Sequence, residues 1–143
     1  MDIPELIAQA GQGSTVAQGL LGIAYLHGVD VPPDYEEAMK WLTLAADKGA
    51  PRPMWNLGRM YEEGLSTPID LEKARQLYER AAAGGEFYAF IHLARLYRDG
   101  KGVPQSDRQA RNWYCKATEM KERVADVPEL REALDFVEAS DSP

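Results

Sequence analysis

The chain has 143 residues, of which 45% are hydrophobic and 27% are charged, a composition that predicts one soluble globular domain. Its formal net charge of −7 argues against a nucleic acid or an anionic membrane as partner, because both attract basic surfaces. No basic segment or long apolar run opens the chain, so we expect no signal peptide and no membrane span. The single cysteine, Cys115, cannot form an internal disulfide, which favours a cytoplasmic location.

A spacing of 36 residues relates three successive segments of the chain. Six columns are identical in all three: Leu21/Leu57/Leu93, Tyr25/Tyr61/Tyr97, Gly28/Gly64/Gly100, Pro32/Pro68/Pro104, Ala38/Ala74/Ala110 and Ala45/Ala81/Ala117. A fixed period of roughly 20–50 residues is typical of stacked helical repeats. The period therefore predicts three copies, at residues 14–49, 50–85 and 86–121.

A capping helix is predicted before the first copy and another after the last. The first covers residues 3–13, where Leu6 and Ala10 stand one period before matching residues of the first copy. The second covers residues 127–139, starts at Pro128 and has one apolar face. Terminal caps with a polar outer surface keep repeat arrays soluble.

Each copy is predicted to form a helix, a turn and a second helix, and the middle copy illustrates the reasons. Leu57 and Tyr61 lie on one side of the first helix and are predicted to pack in the core. Gly58 leaves room for a neighbouring helix, and Gly64 stands where a left-handed glycine ends a helix. Asp70 is placed to cap the second helix through its carboxylate. The equivalent caps in the other copies are Asp34 and Ser106.

These spaced residues resemble the Sel1-like repeat (SLR) family, a relative of the tetratricopeptide repeats. The resemblance rests on the run Leu-Gly-x-x-Tyr-x-x-Gly, a capping Asp and a later Ala-Ala pair, and it covers roughly residues 3–121. It implies an all-α, right-handed α-solenoid of helix-turn-helix repeats, with three full copies and two caps in one domain, 1–143. Ala94 replaces the helix glycine in the third copy, a departure that leaves the predicted fold unchanged.

Motifs of catalytic, cofactor and metal sites are missing from the sequence. It contains no phosphate-binding loop, no Cys-x-x-Cys, no His-Glu-x-x-His and no Gly-x-Ser-x-Gly. The two histidines, His27 and His92, do not occupy equivalent repeat positions. We therefore predict a non-enzymatic protein with no catalytic residue, cofactor or metal ligand.

A partner is predicted to bind the side of each first helix that faces away from its packed side. In the family this side lines the concave surface of the superhelix, a geometry that the resemblance implies. Ten residues make up this predicted binding face: Val16, Ile23, Leu26, Arg52, Trp55, Arg59, Tyr88, Ile91, Arg95 and Arg98. Exposed apolar, aromatic and arginine residues are typical of interfaces. Because arginine pairs well with carboxylates, we expect a protein or peptide partner with acidic and aromatic or aliphatic residues.

Structural and functional alternatives stay open for this face. The capping helices could cover part of it, and its arginines could pair with Glu62, Glu63 or Asp99 as surface ion pairs. The leading function is an adaptor that holds a partner protein in the concave groove and is monomeric when free. The alternative is a bacterial immunity or inhibitor protein that neutralises a cognate toxin by occluding its active site. Co-purification with one tight partner would favour the inhibitor.

Overall fold

The computed structural model describes residues 2–141, so Met1, Ser142 and Pro143 of the predicted 1–143 domain lie outside the described residues. The described residues form α-helices and no strand. The helices are α1 (Ile3–Gly11), α2 (Thr15–His27), α3 (Tyr35–Asp47), α4 (Pro51–Glu63), α5 (Leu71–Ala83), α6 (Phe87–Asp99), α7 (Asp107–Thr118) and α8 (Pro128–Ser140). The predicted all-α class, with three helix-turn-helix copies and flanking helices, is confirmed.

The chain divides into two compact units, Met1–Gly84 and Gly85–Pro143. In the first unit α2 packs on α3 and α4 packs on α5, while α1 lies against α2 and α3 against α4. In the second unit α6 packs on α7, and α8 packs mainly on α7. Each unit is therefore built from helix pairs that neighbour one another along the chain.

The turn inside each copy has the same backbone design. A glycine in the left-handed conformation ends each first helix, as the sequence predicts. These glycines are Gly28, Gly64 and Gly100, with φ of 70°, 72° and 64°. The residue that caps each second helix donates its backbone N–H to the carbonyl oxygen of the repeat tyrosine. The three bonds, each 2.9 Å, are Asp34 to Tyr25, Asp70 to Tyr61 and Ser106 to Tyr97.

The side chains of the predicted N-caps accept hydrogen bonds from amides of the first turn, which confirms their assignment. The bonds run from Glu37 N to Asp34 Oδ1 at 3.1 Å, Lys73 N to Asp70 Oδ1 at 3.0 Å and Gln109 N to Ser106 Oγ at 3.1 Å. These oxygens satisfy amides that have no partner within the helix. The second helix of every copy thus begins at a position fixed by one polar side chain.

Packing within the middle copy confirms two predictions and corrects a third. Leu57 is buried, and a Cβ added to Gly58 would lie 2.6 Å from Cε1 of Tyr78, so the glycine is required for close helix contact. Tyr61 is only half-buried, and the Lys73 ammonium lies 4.7 Å from the centre of its ring. Tyr78 is the fully buried tyrosine of this copy.

Candidate partner-binding surface

The structure divides the predicted binding face by exposure. Val16 and Arg52 are exposed, and Val16 keeps 72% of its surface in contact with solvent. The half-buried members are Ile23, Arg59, Tyr88, Arg95 and Arg98. The buried members are Leu26, Trp55 and Ile91, with exposed fractions of 8%, 9% and 0%.

For the three buried residues, the expectation of an exposed position is wrong. Each has a large apolar side chain, and packing removes that surface from water, which favours burial by about 25 cal/mol per Å². Ile91 belongs to the core of the second unit, together with Leu130 and Ala133 of α8. The sequence places Ile91 on the outer side of α6, and only the fold brings α8 against that core.

A pocket of about 280 Å³ lies between the first turns of α2 and the start of α4, wholly within the first unit. Its lining residues are Thr15, Val16, Gly19, Leu20, Ile23, Ala50, Pro51, Arg52 and Pro53. Arg52 is the only charged residue in this lining. Leu20, which is not part of the predicted binding face, is 41% exposed here beside Val16. The side chains of Val16 and Leu20 therefore remain in contact with water at an apolar pocket.

A glycine in the first copy explains why this pocket exists. Gly19 occupies the repeat position of Ile91, and Val16 occupies that of Tyr88. A Cβ on Gly19 would lie 3.0 Å from Cγ of Pro53, so the glycine also permits the close approach of α2 to α4. In the third copy the equivalent isoleucine is fully buried in its unit's core. The first copy thus has no side chain at the position that Ile91 occupies in the third copy.

Two arginines of α4 lie over the same tryptophan beside this pocket. The guanidinium carbons of Arg52 and Arg59 lie 5.3 Å and 5.4 Å from the centre of the Trp55 ring. Arg59 also approaches Glu63, with 3.4 Å between Nη2 and Oε1. Cation–π contacts of this kind attract a guanidinium to the face of an aromatic ring. Trp55 therefore supports the arginines from a buried position.

In the second unit, Glu132 of α8 holds the two arginines of α6 that the sequence places on the binding face. Arg95 donates two hydrogen bonds to the carboxylate, Nε to Oε2 at 3.0 Å and Nη2 to Oε1 at 2.7 Å. The Tyr114 hydroxyl donates to Oε2 at 2.5 Å and accepts from Nη1 of Arg98 at 3.0 Å. Arg98 also pairs with Asp99 at 2.8 Å. These contacts form an ionic cluster that joins α6, α7 and α8.

Within the cluster the pKa of Glu132 is lowered, and the pKa values of Arg95, Arg98 and Tyr114 are raised. Burial alone would raise the pKa of Glu132, but hydrogen bonds from Arg95 and Tyr114 outweigh it, and the pKa is lowered. The hydrogen bond to Glu132 raises the pKa of Arg95. Burial, followed by the bond to Glu132, raises the pKa of Tyr114. The carboxylate and both guanidiniums are therefore charged at neutral pH.

Pairing of arginines with nearby acids was one alternative for the face, and it holds for Arg59, which pairs with Glu63, and for Arg98, which pairs with Asp99. The main acceptor, Glu132, lies on the polar side of the last helix, and the sequence alone does not show that this side meets α6. A signal for Glu132 exists, since α8 is the next helix after the third copy and starts at Pro128, five residues after position 123, where the 36-residue period would start the first helix of a further copy.

Two further kinds of feature can be assessed in the described residues, metal-binding clusters and membrane-spanning helices. Among residues 2–141, no group of three or more His, Cys, Asp or Glu side chains is arranged to hold a metal ion. Within the same residues, every helix is too short or too polar to cross a membrane.

Comparison with known proteins gives matches throughout the three copies. The Sel1 repeat model matches residues 15–49, 54–86 and 91–121. The crystal structure of a Sel1 repeat protein from Oxalobacter formigenes is 33% identical, with a TM-score of 0.75, and the match covers 94% of this chain and 98% of that one. No curated protein matches the sequence.

Two further solved structures share the fold. One is c5321, a protective antigen with an SLR fold from uropathogenic Escherichia coli, at 30% identity and a TM-score of 0.77. That match covers 94% of this chain but only 32% of the antigen, so this chain spans about a third of its length. The other is Helicobacter pylori cysteine rich protein B, at 22% identity and a TM-score of 0.69. That match covers 95% of this chain and 97% of the Helicobacter protein, and it supports the fold alone.

Proposed function

The chain belongs to the Sel1 repeat family, as its sequence predicted, and we propose that it is a non-enzymatic module that binds a partner protein through its first unit. Sel1 repeats are generally protein-interaction modules, and their fold is a scaffold without catalytic activity. The docking surface is the pocket between α2 and α4 together with Arg52 and Arg59. The partner's side chains enter the pocket, and its polar groups meet the arginines.

The observation that carries this proposal is the exposed apolar lining of the pocket. Val16 is 72% exposed and Leu20 is 41% exposed, although both line a concave site into which a side chain would fit. Apolar surface in such a site stays hydrated until a partner covers it, and covering it releases about 25 cal/mol per Å². Burial of this surface supplies the driving force for docking.

Members of the predicted binding face take different roles in this proposal. Val16, Ile23, Arg52 and Arg59 contact the partner, and Leu20 joins them. The buried residues Leu26, Trp55 and Ile91 act through packing, with no partner contact. In the second unit Arg95 and Arg98 hold α8 through Glu132. Tyr88 is half-buried beside Phe87, and no partner contact is proposed for it.

The inhibitor alternative uses the same surface with a different outcome for the partner. An immunity protein would form a tight one-to-one complex that abolishes an enzymatic activity of its partner, whereas an adaptor would leave the partner active. Activity of the captured partner in the presence and absence of this chain therefore separates the two roles. The cytoplasmic location remains a prediction from the lone cysteine.

The test compares two double variants that remove the same amount of exposed apolar surface. Val16→Gln/Leu20→Gln alters the pocket without changing charge. Ile69→Gln/Ile7→Gln is the control, because these residues are 64% and 42% exposed and lie outside the pocket lining.

Partners are captured from a lysate with wild-type protein, identified by mass spectrometry and purified, and their affinity for each variant is measured. We expect the pocket variant to lose at least about tenfold in affinity, equivalent to roughly 1.4 kcal/mol, and the control to bind like the wild type. Equal affinities for all three proteins, with unchanged circular dichroism, would place the docking surface elsewhere.

A further inference from the structure

One side of α2 carries an aliphatic row that starts at the pocket and continues along the helix. Its members, Val16, Leu20 and Ile23, follow one another at spacings of four and three residues, so they cover roughly 10 Å of the helix axis. Val16 and Leu20 are 72% and 41% exposed, and Ile23 is half-buried. Side chains at these spacings are those through which one helix interlocks with another. The aliphatic row therefore has the pattern of a helix-packing surface.

The aliphatic row occurs in the first copy only. The residues at the same three repeat positions are Arg52, Asn56 and Arg59 in α4, and Tyr88, His92 and Arg95 in α6. The second and third copies thus form the same helix-turn-helix unit with polar or aromatic residues at these positions. Because folding of a copy does not require aliphatic side chains there, the row in α2 points to a contact with another molecule.

The aliphatic row carries no charge, and the charged groups beside it already have interactions. No residue of α2 is Asp, Glu, Lys or Arg. Arg52, the only charged residue of the pocket lining, lies over the Trp55 ring. Arg59 pairs with Glu63. A charged side chain placed against the row would lose its hydration without gaining a counter-ion, so charge complementarity requires an uncharged, aliphatic face on the partner.

The surface around the row also offers few partners to the backbone of an extended segment. Among the residues that line the pocket, Thr15 and Arg52 alone have polar side chains, and Pro51 and Pro53 have no backbone N–H. An extended segment brings an N–H and a C=O with every residue, and burying these groups without partners is costly. A helix bonds these groups to one another, so it can cover an apolar surface without that cost.

The second unit shows a helix covering the repeat position that lies within the row. Gly19 of the first copy corresponds to Ile91, which is buried with Leu130 and Ala133 of α8. Leu130 and Ala133 are three residues apart, on the apolar side of an amphipathic helix. In the first copy Gly19 lines the pocket and supplies no side chain. The pocket can therefore receive one side chain from a helix that docks on the row.

We propose that the aliphatic row and its pocket bind an amphipathic helix of a partner protein, whose docking face carries aliphatic residues at spacings of three and four and no charge. This inference rests on the proposed function and identifies the partner chemistry of the same site. One aliphatic side chain of the partner enters the pocket beside Gly19. Its neighbours on the same face pack between Val16, Leu20 and Ile23.

The test uses a defined peptide and does not require the natural partner. The probe is an acetylated, amidated, alanine-rich peptide of about sixteen residues, with three leucines in a row on one side of its helix and Glu–Lys pairs on the other sides. One matched peptide has the same composition but places the leucines on different sides of the helix. A second keeps the leucine row and has a proline in the middle, which breaks the helix.

Binding of each peptide to the full chain is measured by fluorescence anisotropy, and the methyl NMR signals of Val16, Leu20 and Ile23 locate the peptide on the surface. The protein variant is Val16→Gln/Leu20→Gln, the pocket variant. Its control is Ile69→Gln/Ile7→Gln, which removes exposed apolar surface outside the pocket lining. Circular dichroism checks that both variants are folded.

We expect saturable shifts of all three methyl signals with the leucine-row peptide, and about tenfold weaker binding of both matched peptides. The pocket variant should also lose about tenfold or more in affinity for the leucine-row peptide, whereas the control should bind like the wild type. Equal binding of the proline peptide, or of the peptide with redistributed leucines, would overturn the inference. So would sedimentation of the free protein as a dimer that the pocket variant dissociates, because the occupant would then be a second copy.

The inference and the proposed function can fail separately. If the pocket variant weakens a captured partner but the leucine-row peptide produces no shifts at Val16, Leu20 and Ile23, the docking site stands and its helical occupant is wrong. If the pocket variant leaves every captured partner unaffected and the peptide produces no shifts, both are wrong.

Discussion

Glu132 receives hydrogen bonds from Arg95 and Tyr114, so its charge contributes to the stability of the second unit. We expect Glu132→Gln to lower the free energy of unfolding by about 1–2 kcal/mol at pH 7. This is less than the loss for a fully buried ion pair, because Glu132 and Arg95 are partly exposed. Because the folded pKa of Glu132 is lowered, its contribution is present above the ordinary value of about 4.3 and is lost as the pH falls through the lower folded value.

Thermal unfolding followed by circular dichroism from pH 7 to pH 3 measures this effect. The difference between wild type and Glu132→Gln should shrink below about pH 4. Glu119→Gln, a change at an exposed position, is the control and should show no such convergence. A constant difference at all pH values would show that the charge of Glu132 does not matter.

The position of Gly58 has no room for a side chain. A Cβ at this position would lie 2.6 Å from Cε1 of Tyr78, whose ring is fully buried and whose hydroxyl donates to Glu62 at 2.8 Å. We expect Gly58→Ala to cost about 1–3 kcal/mol in chemical denaturation, because the packed ring must move. Gly11→Ala, with no atom within 4 Å of its added Cβ, should be neutral or slightly stabilising. Equal effects would contradict the packing argument.

At the scale of elements, α8 completes the core of the second unit. Leu130 and Ala133 are buried with Ile91, Tyr114 and Phe87, and the ring centres of Tyr114 and Phe136 lie 4.9 Å apart. Without this helix Ile91 would face solvent, as the sequence suggested. The ionic cluster around Glu132 adds polar contacts to this apolar attachment.

We expect Leu130→Ala to lower the opening free energy of α8 by about 2–4 kcal/mol, because it leaves a cavity beside residues that cannot fully collapse. Hydrogen exchange of the α8 amides measures this directly, and the amides around Ile91 should lose protection with them. Arg131→Ala, at an exposed position next in sequence, should leave exchange unchanged. Unchanged protection in Leu130→Ala would mean that α8 is held by its polar contacts alone.

The net charge of −7 bears on the partners available to the whole molecule. Binding to nucleic acid draws its affinity from neutralised phosphates and released counterions, which an acidic protein supplies poorly. We therefore expect no mobility shift of duplex DNA or single-stranded RNA at physiological ionic strength. A shift that weakens with added salt would contradict this expectation and indicate a basic patch stronger than the two arginines of α4.

The repeat class and the turn chemistry could be predicted from the sequence because they depend on contacts within one copy. Gly64 ends its helix in the left-handed conformation and Asp70 caps the next, as local backbone geometry requires. The capping helices were predicted at 3–13 and 127–139, and the corresponding helices are Ile3–Gly11 and Pro128–Ser140. The predicted ranges differ from these helices by one or two residues at their ends.

Burial at the predicted binding face was decided by the tertiary structure alone. Periodicity placed Trp55 and Ile91 on the outer side of their helices, but it does not say which neighbouring side chains lie there. Leu130 of α8 shares the core with Ile91, and two arginines lie over Trp55. The pocket beside Val16 likewise requires α2 and α4 at their observed separation. Local patterns fix helices and turns because their contacts are a few residues apart, whereas a surface depends on which distant segments pack together.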